Sequence, residues 1–354
     1  MRKSYLVCII SILVISLMLG GCGQKQTADT NSSAQKQQVY ELNFQSDYME
    51  SHPTVVNVFK PWIEEVKKRS NGRLVINYYN PNALCPTEKT YDSVVAGIID
   101  IGAVPMPFTP DKFPLGELLD LPFIVPNSEA GSLLIWKLFE TTPEWRDQFK
   151  DVKVLWQWVS APVQLHTVAK PVRTLEDIKG LRILSPTPSD VETAKILGAS
   201  PIKVLPPDMY IALQRKSADG TFIPVAPVKS LKLDEVTKYH TMLNIRVTPF
   251  YAVMNVDTWN SLPDDLKNIL IDTTGTKMAQ ACGVSLDEGA ARDVERIKEQ
   301  GNTFIEFNPE EKEKLIKAVE PLYEEKLKQL EAKGYSNARQ IFENIKQLAE
   351  KYSK

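Results

Sequence analysis

Two periodicities alternate along this chain from residue 39 onward. VYELNF (39–44) switches between apolar and polar at every residue, which predicts a first strand. After His52-Pro53, the apolar positions Val55, Phe59, Trp62 and Val66 recur at helical spacing, and the segment ends in KKRSNG, a positively charged last turn with Gly72 as the stop. RLVINYY predicts a second strand, TEKTYDSVVAG a helix closing at Gly97, and IIDIGAV a third strand. The stretch 105–126, PMPFTPDKFPLGELLDLPFIVP, is too rich in proline for a central strand and predicts extended and turn structure. A helical pattern follows in SEAGSLLIWKLFETT, then two strand-like runs, VKVLWQWVS and VQLHTVAKPV.

The segment from Thr174 to Gly220 compresses the same alternation. LEDIKG closes on Gly180, LRILS predicts a strand, and SDVETAKILG a helix with Ser189 and Asp190 as cap candidates and Gly198 as its end. SPIKVL predicts another short strand, and DMYIALQ a helix capped by Asp208 that runs into the turn pair Asp219-Gly220. Two strands joined by a helix form a βαβ unit, and the ends of such strands are where ligands sit. Further on, Val247 to Asn255 has the strongest strand character. From Asp264 to Gln300 one helical pattern continues for about 37 residues, which at 1.5 Å each would span roughly 55 Å, longer than one domain is wide. Such a helix would bridge two domains. NTFIEF predicts a last strand, and the Lys- and Glu-rich remainder from Pro309 predicts solvated amphipathic helices. The whole is an α/β chain with a parallel or mixed sheet covered by helices.

The N-terminus departs from this pattern. Arg2 and Lys3 precede an apolar run from Tyr5 to Leu19, about fifteen residues and short for a membrane span. It ends in Leu19-Gly20-Gly21-Cys22, which resembles a bacterial lipoprotein signal; removal of 1–21 would leave Cys22 to carry the lipid. A plain signal or N-terminal anchor is the alternative. Residues 22–38 contain almost no apolar side chain, so they predict a flexible tether to a body held outside the cytoplasm. Of the four cysteines, Cys85 and Cys282 fall in the body, where a disulfide or, preferably, two isolated thiols would fit.

Composition narrows the chemistry. The 354 residues are 43% hydrophobic and 24% charged with a formal net charge of −2, enough for a two-domain core and without the basic excess that nucleic acid requires. Three histidines, His52, His166 and His240, stand in no spacing that nucleophilic or metal chemistry uses. No GxSxG, HExxH, GxxxxGK[ST] or strand-following GxGxxG occurs, so a binding protein without metal or cofactor is the preferred reading over an enzyme.

LEDIKGLRI, AKILGASP, YIALQ and ADG, together with SNGRLVINYYNPNAL (70–84), VVAGIIDIGAV (94–104), FPLGELLDLPF (113–123), EVTKYH (235–240) and LPDDLKNIL (262–270), resemble the extracytoplasmic solute receptors of TRAP (tripartite ATP-independent periplasmic) transporters of the DctP type. The resemblance implies a two-lobe fold of the type II periplasmic-binding class. Lobe I would comprise 39–165 with about 247–280, lobe II 166–246 with about 300–354, and the helix 264–300 would bridge them. It also implies capture of a small organic solute by hinge closure and handover to a small and a large membrane subunit driven by an ion gradient. A receptor for an ATP-driven importer, a ligand-presenting sensor subunit and a surface enzyme are the alternatives.

The departures from that family bear on the ligand. Where the family places a carboxylate-gripping arginine, this chain has Leu184; Arg182 lies two residues earlier on the same strand face. Ile223 stands where an asparagine often binds, and Gln164 where some members carry a further arginine. Trp156, Trp158, Phe222, Phe250 and Tyr251 sit near cleft-lining segments, where each either packs the core or, if two or more line the cleft, makes the pocket more apolar than usual. The candidate ligand-binding residues are therefore Gln164, His166, Arg182, Leu184, Phe222, Ile223, Trp158, Phe250 and Tyr251, and the expected solute is neutral or weakly polar, aromatic or aliphatic, rather than a dicarboxylate.

Overall fold

A computed structural model describes residues 38–353 other than 110 and 205–207. The proposed signal, Cys22 and nearly all of the tether lie outside the described residues. Eleven strands are described and fall into two mixed sheets. The first orders β2 (Leu74–Tyr79), β1 (Tyr40–Ser46), β3 (Ile101–Pro105), β10 (Pro249–Met254) and β4 (Lys153–Val159). The second orders β11 (Thr303–Glu306), β9 (Tyr239–Met242), β5 (Gln164–Thr167), β8 (Gly220–Ile223), β6 (Arg182–Leu184) and β7 (Ser200–Ile202). β1 runs parallel to β2 and β3, whereas β10 runs antiparallel to both β3 and β4. Every residue of β3 and of β10 is buried, as expected of central strands covered on both faces.

The chain crosses between the sheets twice outside regular helix or strand, once from β4 to β5 and once from β9 to β10. The two crossings pair with each other: Val163 N–H donates to Arg246 O (2.9 Å), Ile245 N–H to Val163 O (2.8 Å) and Ser160 N–H to Thr248 O (2.8 Å). The Gln164 side chain adds to this, accepting from Asn244 N–H at 2.8 Å and donating to Asn244 Oδ1 at 2.5 Å.

The helical pattern of 264–300 is not one helix. It forms Asp264–Thr273 and Thr276–Glu299, separated at Thr274-Gly275, with Gly275 at φ 64°. The apolar period survives the break, with Leu266 and Leu270 before it and Met278, Ala279 and Cys282 after it all buried, so the pattern alone reads as continuous. The 24-residue second helix still spans both halves, packing on β4 and the Ser128–Thr141 helix near its start and on Val225–Ser230 and β11 near its end. Gly283 permits the closest crossing, because a Cβ there would stand 2.5 Å from Glu129 Cα. Asp287 of the same helix then accepts from Ser128 N–H (3.0 Å) and Glu129 N–H (2.9 Å), satisfying donors that the start of the Ser128–Thr141 helix leaves open.

Two further expectations need correction. The C-terminal helices do not belong wholly with the second sheet. Pro309–Ala332 begins in that sheet's core through Leu315 and Val319, but its end, Leu327 and Leu330, joins Ile341, Phe342 and Ile345 of Ala338–Tyr352 in a core of the first half. The cap of the Pro188–Ile196 helix is neither Ser189 nor Asp190 but Thr187, in a capping box whose N3 partner is Asp190. Asp208 does stand at the N-cap of Met209–Gln214, but without a side-chain cap bond. Cys85 and Cys282 are both buried and unbridged.

Candidate functional site

A cavity of about 540 Å³ opens between the two sheets where the crossing strands pass beneath it. That size and position suit a small-molecule site. One wall comes from the proline-rich stretch after β3 and from β10: Pro105, Met106, Pro107, Phe108, Phe113 and Phe250. The opposite wall comes from the second sheet: Pro186, Pro188, Phe222, Ile223 and Pro224. Ser160, Val163, Arg246 and Thr248 of the crossings contribute from beneath. A larger groove of about 700 Å³ lies between the two C-terminal helices, residues 123–126 and Asn244, but its lining is laced with Lys, Arg and Glu.

Proline explains the first wall. A run of Pro105, Pro107 and Pro114 cannot continue a sheet, so the chain leaves β3 in short 3-10 turns and lays Met106 and Phe108 along the cavity. Phe108 remains 42% exposed on this wall.

The polar side of the cavity centres on Arg246, whose side chain is 4% exposed. Its five N–H groups all find acceptors. Nε and Nη2 donate to Asp190 Oδ1 at 2.9 and 2.8 Å, Nη1 to Asp120 Oδ1 at 2.6 Å and Thr248 Oγ1 at 3.3 Å, and Nη2 also to Thr187 Oγ1 at 2.9 Å. Burial alone would lower the Arg246 pKa, but the Asp120 and Asp190 charges hold it above its ordinary value, so it stays cationic. Burial pushes Asp120 up, opposed by Arg246 and by the Ser189 hydroxyl that donates to Asp120 Oδ2. The other lining cation, Lys326, is paired with Glu117.

The expected site residues scatter. Phe222, Ile223 and Phe250 line the cavity. Trp158 and Tyr251 do not: Trp158 is buried behind Phe250, ring centroids 4.9 Å apart, and Tyr251 is buried against Tyr91 and Phe113. Trp156 is likewise core, edge-on to Trp62. Gln164 fastens the crossing strands as described. His166 is fully buried, its Nδ1 2.7 Å from His240 Nδ1 and its Nε2 3.0 Å from Ile223 O. Arg182 points out to solvent, held two-pronged by Asp219 (Nε–Oδ2 3.1 Å, Nη2–Oδ1 2.8 Å). Leu184 packs into the core with Met209, Leu213 and Ile297. Arg182 and Leu184 do share strand parity, but β6 is only three residues long and Arg182 sits at its outer end. Arg246, Asp120, Thr187 and Thr248 were not legible as a group. They lie on three separate segments, and only Asp190, read as a cap, carried any local signal.

Among the described residues no helix is long and apolar enough to cross a membrane, and no His/Cys/Asp/Glu group is arranged to hold a metal.

Comparison with known proteins agrees with this architecture. The chain is 25% identical over 278 residues to the C4-dicarboxylate-binding periplasmic protein DctP of Rhodobacter capsulatus, covering 74% of this chain and 79% of that one. A TRAP periplasmic solute binding protein from Desulfovibrio salexigens superposes with a TM-score of 0.82 at 29% identity, over 88% of this chain and 96% of that one. A TRAP solute binding protein from Rhodoferax ferrireducens, in complex with copurified benzoate, superposes with a TM-score of 0.79 at 26% identity, over 89% and 99%. The model of the DctP family, bacterial extracellular solute-binding protein family 7, matches residues 45–330. Two sheets joined by paired crossing strands around a solute-sized cavity are thus the body of a TRAP-transporter receptor for small organic solutes, and the chain belongs to the bacterial extracellular solute-binding proteins of family 7.

Proposed function

We propose that the cavity between the sheets is the solute site, and that its occupant is a compact, carbon-rich, weakly polar molecule, aromatic or aliphatic. The observation that carries this reading is the wall itself. Met106, Phe108, Phe222, Ile223 and Phe250 line a gap of solute size, and the cations of its lining, Arg246 and Lys326, are paired with carboxylates. The benzoate held by the Rhodoferax relative supports the size and the aromatic character, though its carboxylate is a feature this reading does not share. Leu184 supports it too, since that position is turned into the core and offers no grip on a carboxylate. The lobes close on the solute by flexing at the paired crossings, and the closed form is what the membrane subunits read. A lipid on Cys22 keeps the receptor at the outer face of the membrane, and the bound solute leaves chemically unchanged.

The test is native mass spectrometry of protein purified from its own host. An aromatic or aliphatic solute retained one to one and released unaltered is the expected result. A retained C4-dicarboxylate or sugar acid, or turnover of the retained molecule, would overturn the reading.

A further inference from the structure

Resting on that reading of the cavity, we propose that Asp120 is a built-in substitute for a solute carboxylate, which makes the site select against acids. The argument starts from the guanidinium. A buried arginine at the edge of an apolar cavity is the natural partner of an anionic solute, because its planar fork matches a carboxylate bidentately. Here every N–H of Arg246 is already taken, by Asp190, Asp120, Thr187 and Thr248. Asp190 is committed twice over, since its Oδ2 also closes the capping box with Thr187. Asp120 is different. It arrives from the proline-rich stretch of the opposite half, reaches Arg246 with Oδ1, and is otherwise held only by the Ser189 hydroxyl. It occupies the position on the arginine that an entering acid would need.

The charge around the cavity points the same way. Glu117, Asp120, Asp190 and Glu192 line it against two cations, Arg246 and Lys326, both paired with carboxylates. An acid entering this cleft would meet an excess of negative charge, no free donor on Arg246, and a Lys326 already paired with Glu117. A solute lacking a carboxylate pays neither cost, and the protein's own Asp120–Arg246–Asp190 bridge joins the halves without help from the ligand. Rejection of the wrong ligand by an unfavourable charge is an established route to specificity.

The prediction is a change of selectivity by one substitution. Full-length Asp120→Ala should bind benzoate at least tenfold more tightly than the natural chain does, by calorimetry and thermal shift, while binding of benzyl alcohol, the uncharged counterpart, should not gain. Acetate at millimolar concentration should raise the melting temperature of Asp120→Ala and leave that of the natural chain unmoved. Adding Arg246→Met to Asp120→Ala should abolish the benzoate gain, which ties the anion to the guanidinium. Should Asp120→Ala fail to fold, Asp120→Asn removes the charge with little change of shape and is expected to gain in the same direction. Tighter binding of benzoate than of benzyl alcohol by the natural chain would overturn the proposal, as would the absence of any benzoate gain in the variant that folds. Failure of this test leaves the reading of the cavity intact, because that reading stands or falls on the retained solute.

Discussion

Arg246 shows how much can rest on one side chain. Replacing it with Met would leave Asp120 and Asp190 buried without their shared cation, and breaking a buried ion pair in this way costs about 3–5 kcal/mol. Chemical denaturation of Arg246→Met should therefore show a large fall in midpoint. The His166–His240 pair makes a different prediction. Ile223 O can only accept, so His166 Nε2 donates to it, while His166 Nδ1 lies 2.7 Å from His240 Nδ1. Burial, reinforced by the neighbouring imidazole, pushes His166 down to about 3, and burial pushes His240 down to about 4. In the unfolded chain both would titrate near 6.5. Unfolding then takes up protons below that value, so the pair leaves stability untouched above about pH 6.5 and erodes it progressively as pH falls towards 4. The drop in urea midpoint between pH 7.5 and 4.5 should be visibly smaller in His166→Gln. Asp47 works in the opposite sense. Its Oδ1 is buried without a hydrogen-bond partner and burial raises its pKa to about 8, so the folded state is penalised as pH rises from about 4 to 8. Asp47→Asn should stabilise the protein at pH 8, on the order of 1–3 kcal/mol, and have no such effect below pH 4. None of these environments could be read from the chain: a histidine, an aspartate and an arginine look alike in sequence whether solvated or buried, and only long-range packing distinguishes them.

At the scale of elements, most strands were legible and their partners were not. Alternation located β1, strand-like apolar runs located β2 and β4, and a stronger run located β10, because those signals are local. Short strands such as β8 and β9 give four residues of signal at most and were passed over. The break at Gly275 was written in Thr273-Thr274-Gly275-Thr276 but masked by the apolar period that runs across it. That glycine sits at φ 64°, and a Cβ would meet the Trp136 ring at 3.1 Å. Gly275→Ala should cost about 1–2 kcal/mol from the left-handed backbone alone, with the clash added to it, and thermal denaturation would register the sum. In the binding site the same contrast holds. Phe222, Ile223 and Phe250 reached the cavity because they lie at strand ends, whereas Gln164 and Leu184 were placed by resemblance, and Gln164, His166 and Leu184 are buried while Arg182 faces solvent.

At the scale of the whole molecule, the halves are not consecutive pieces of chain. Strands cross at 160–163 and 243–248, the Thr276–Glu299 helix crosses again, and the C-terminal helices return to the first half. Closure about the paired crossings is thereby confined to a hinge rather than a free linker. Removing the Asn244 side chain should loosen it, because Gln164 loses the amide oxygen it donates to. Hydrogen exchange at Val163 and Ile245 should quicken in Asn244→Gly, while Ile101–Pro105 in the first sheet keeps its protection.

The return of the Ala338–Tyr352 helix to the Ser128–Thr141 helix also sets the order of assembly. Ile341, Phe342 and Ile345 complete a core begun some two hundred residues earlier by Leu134, Ile135 and Leu138. A chain emerging from its N-terminus therefore cannot finish its first half until the fifteen residues of Ala338–Tyr352 have appeared. Ribosome-bound chains stopped before residue 338 should remain open to protease in the first half, and the delay would keep that half threadable for as long as the polypeptide is still being made.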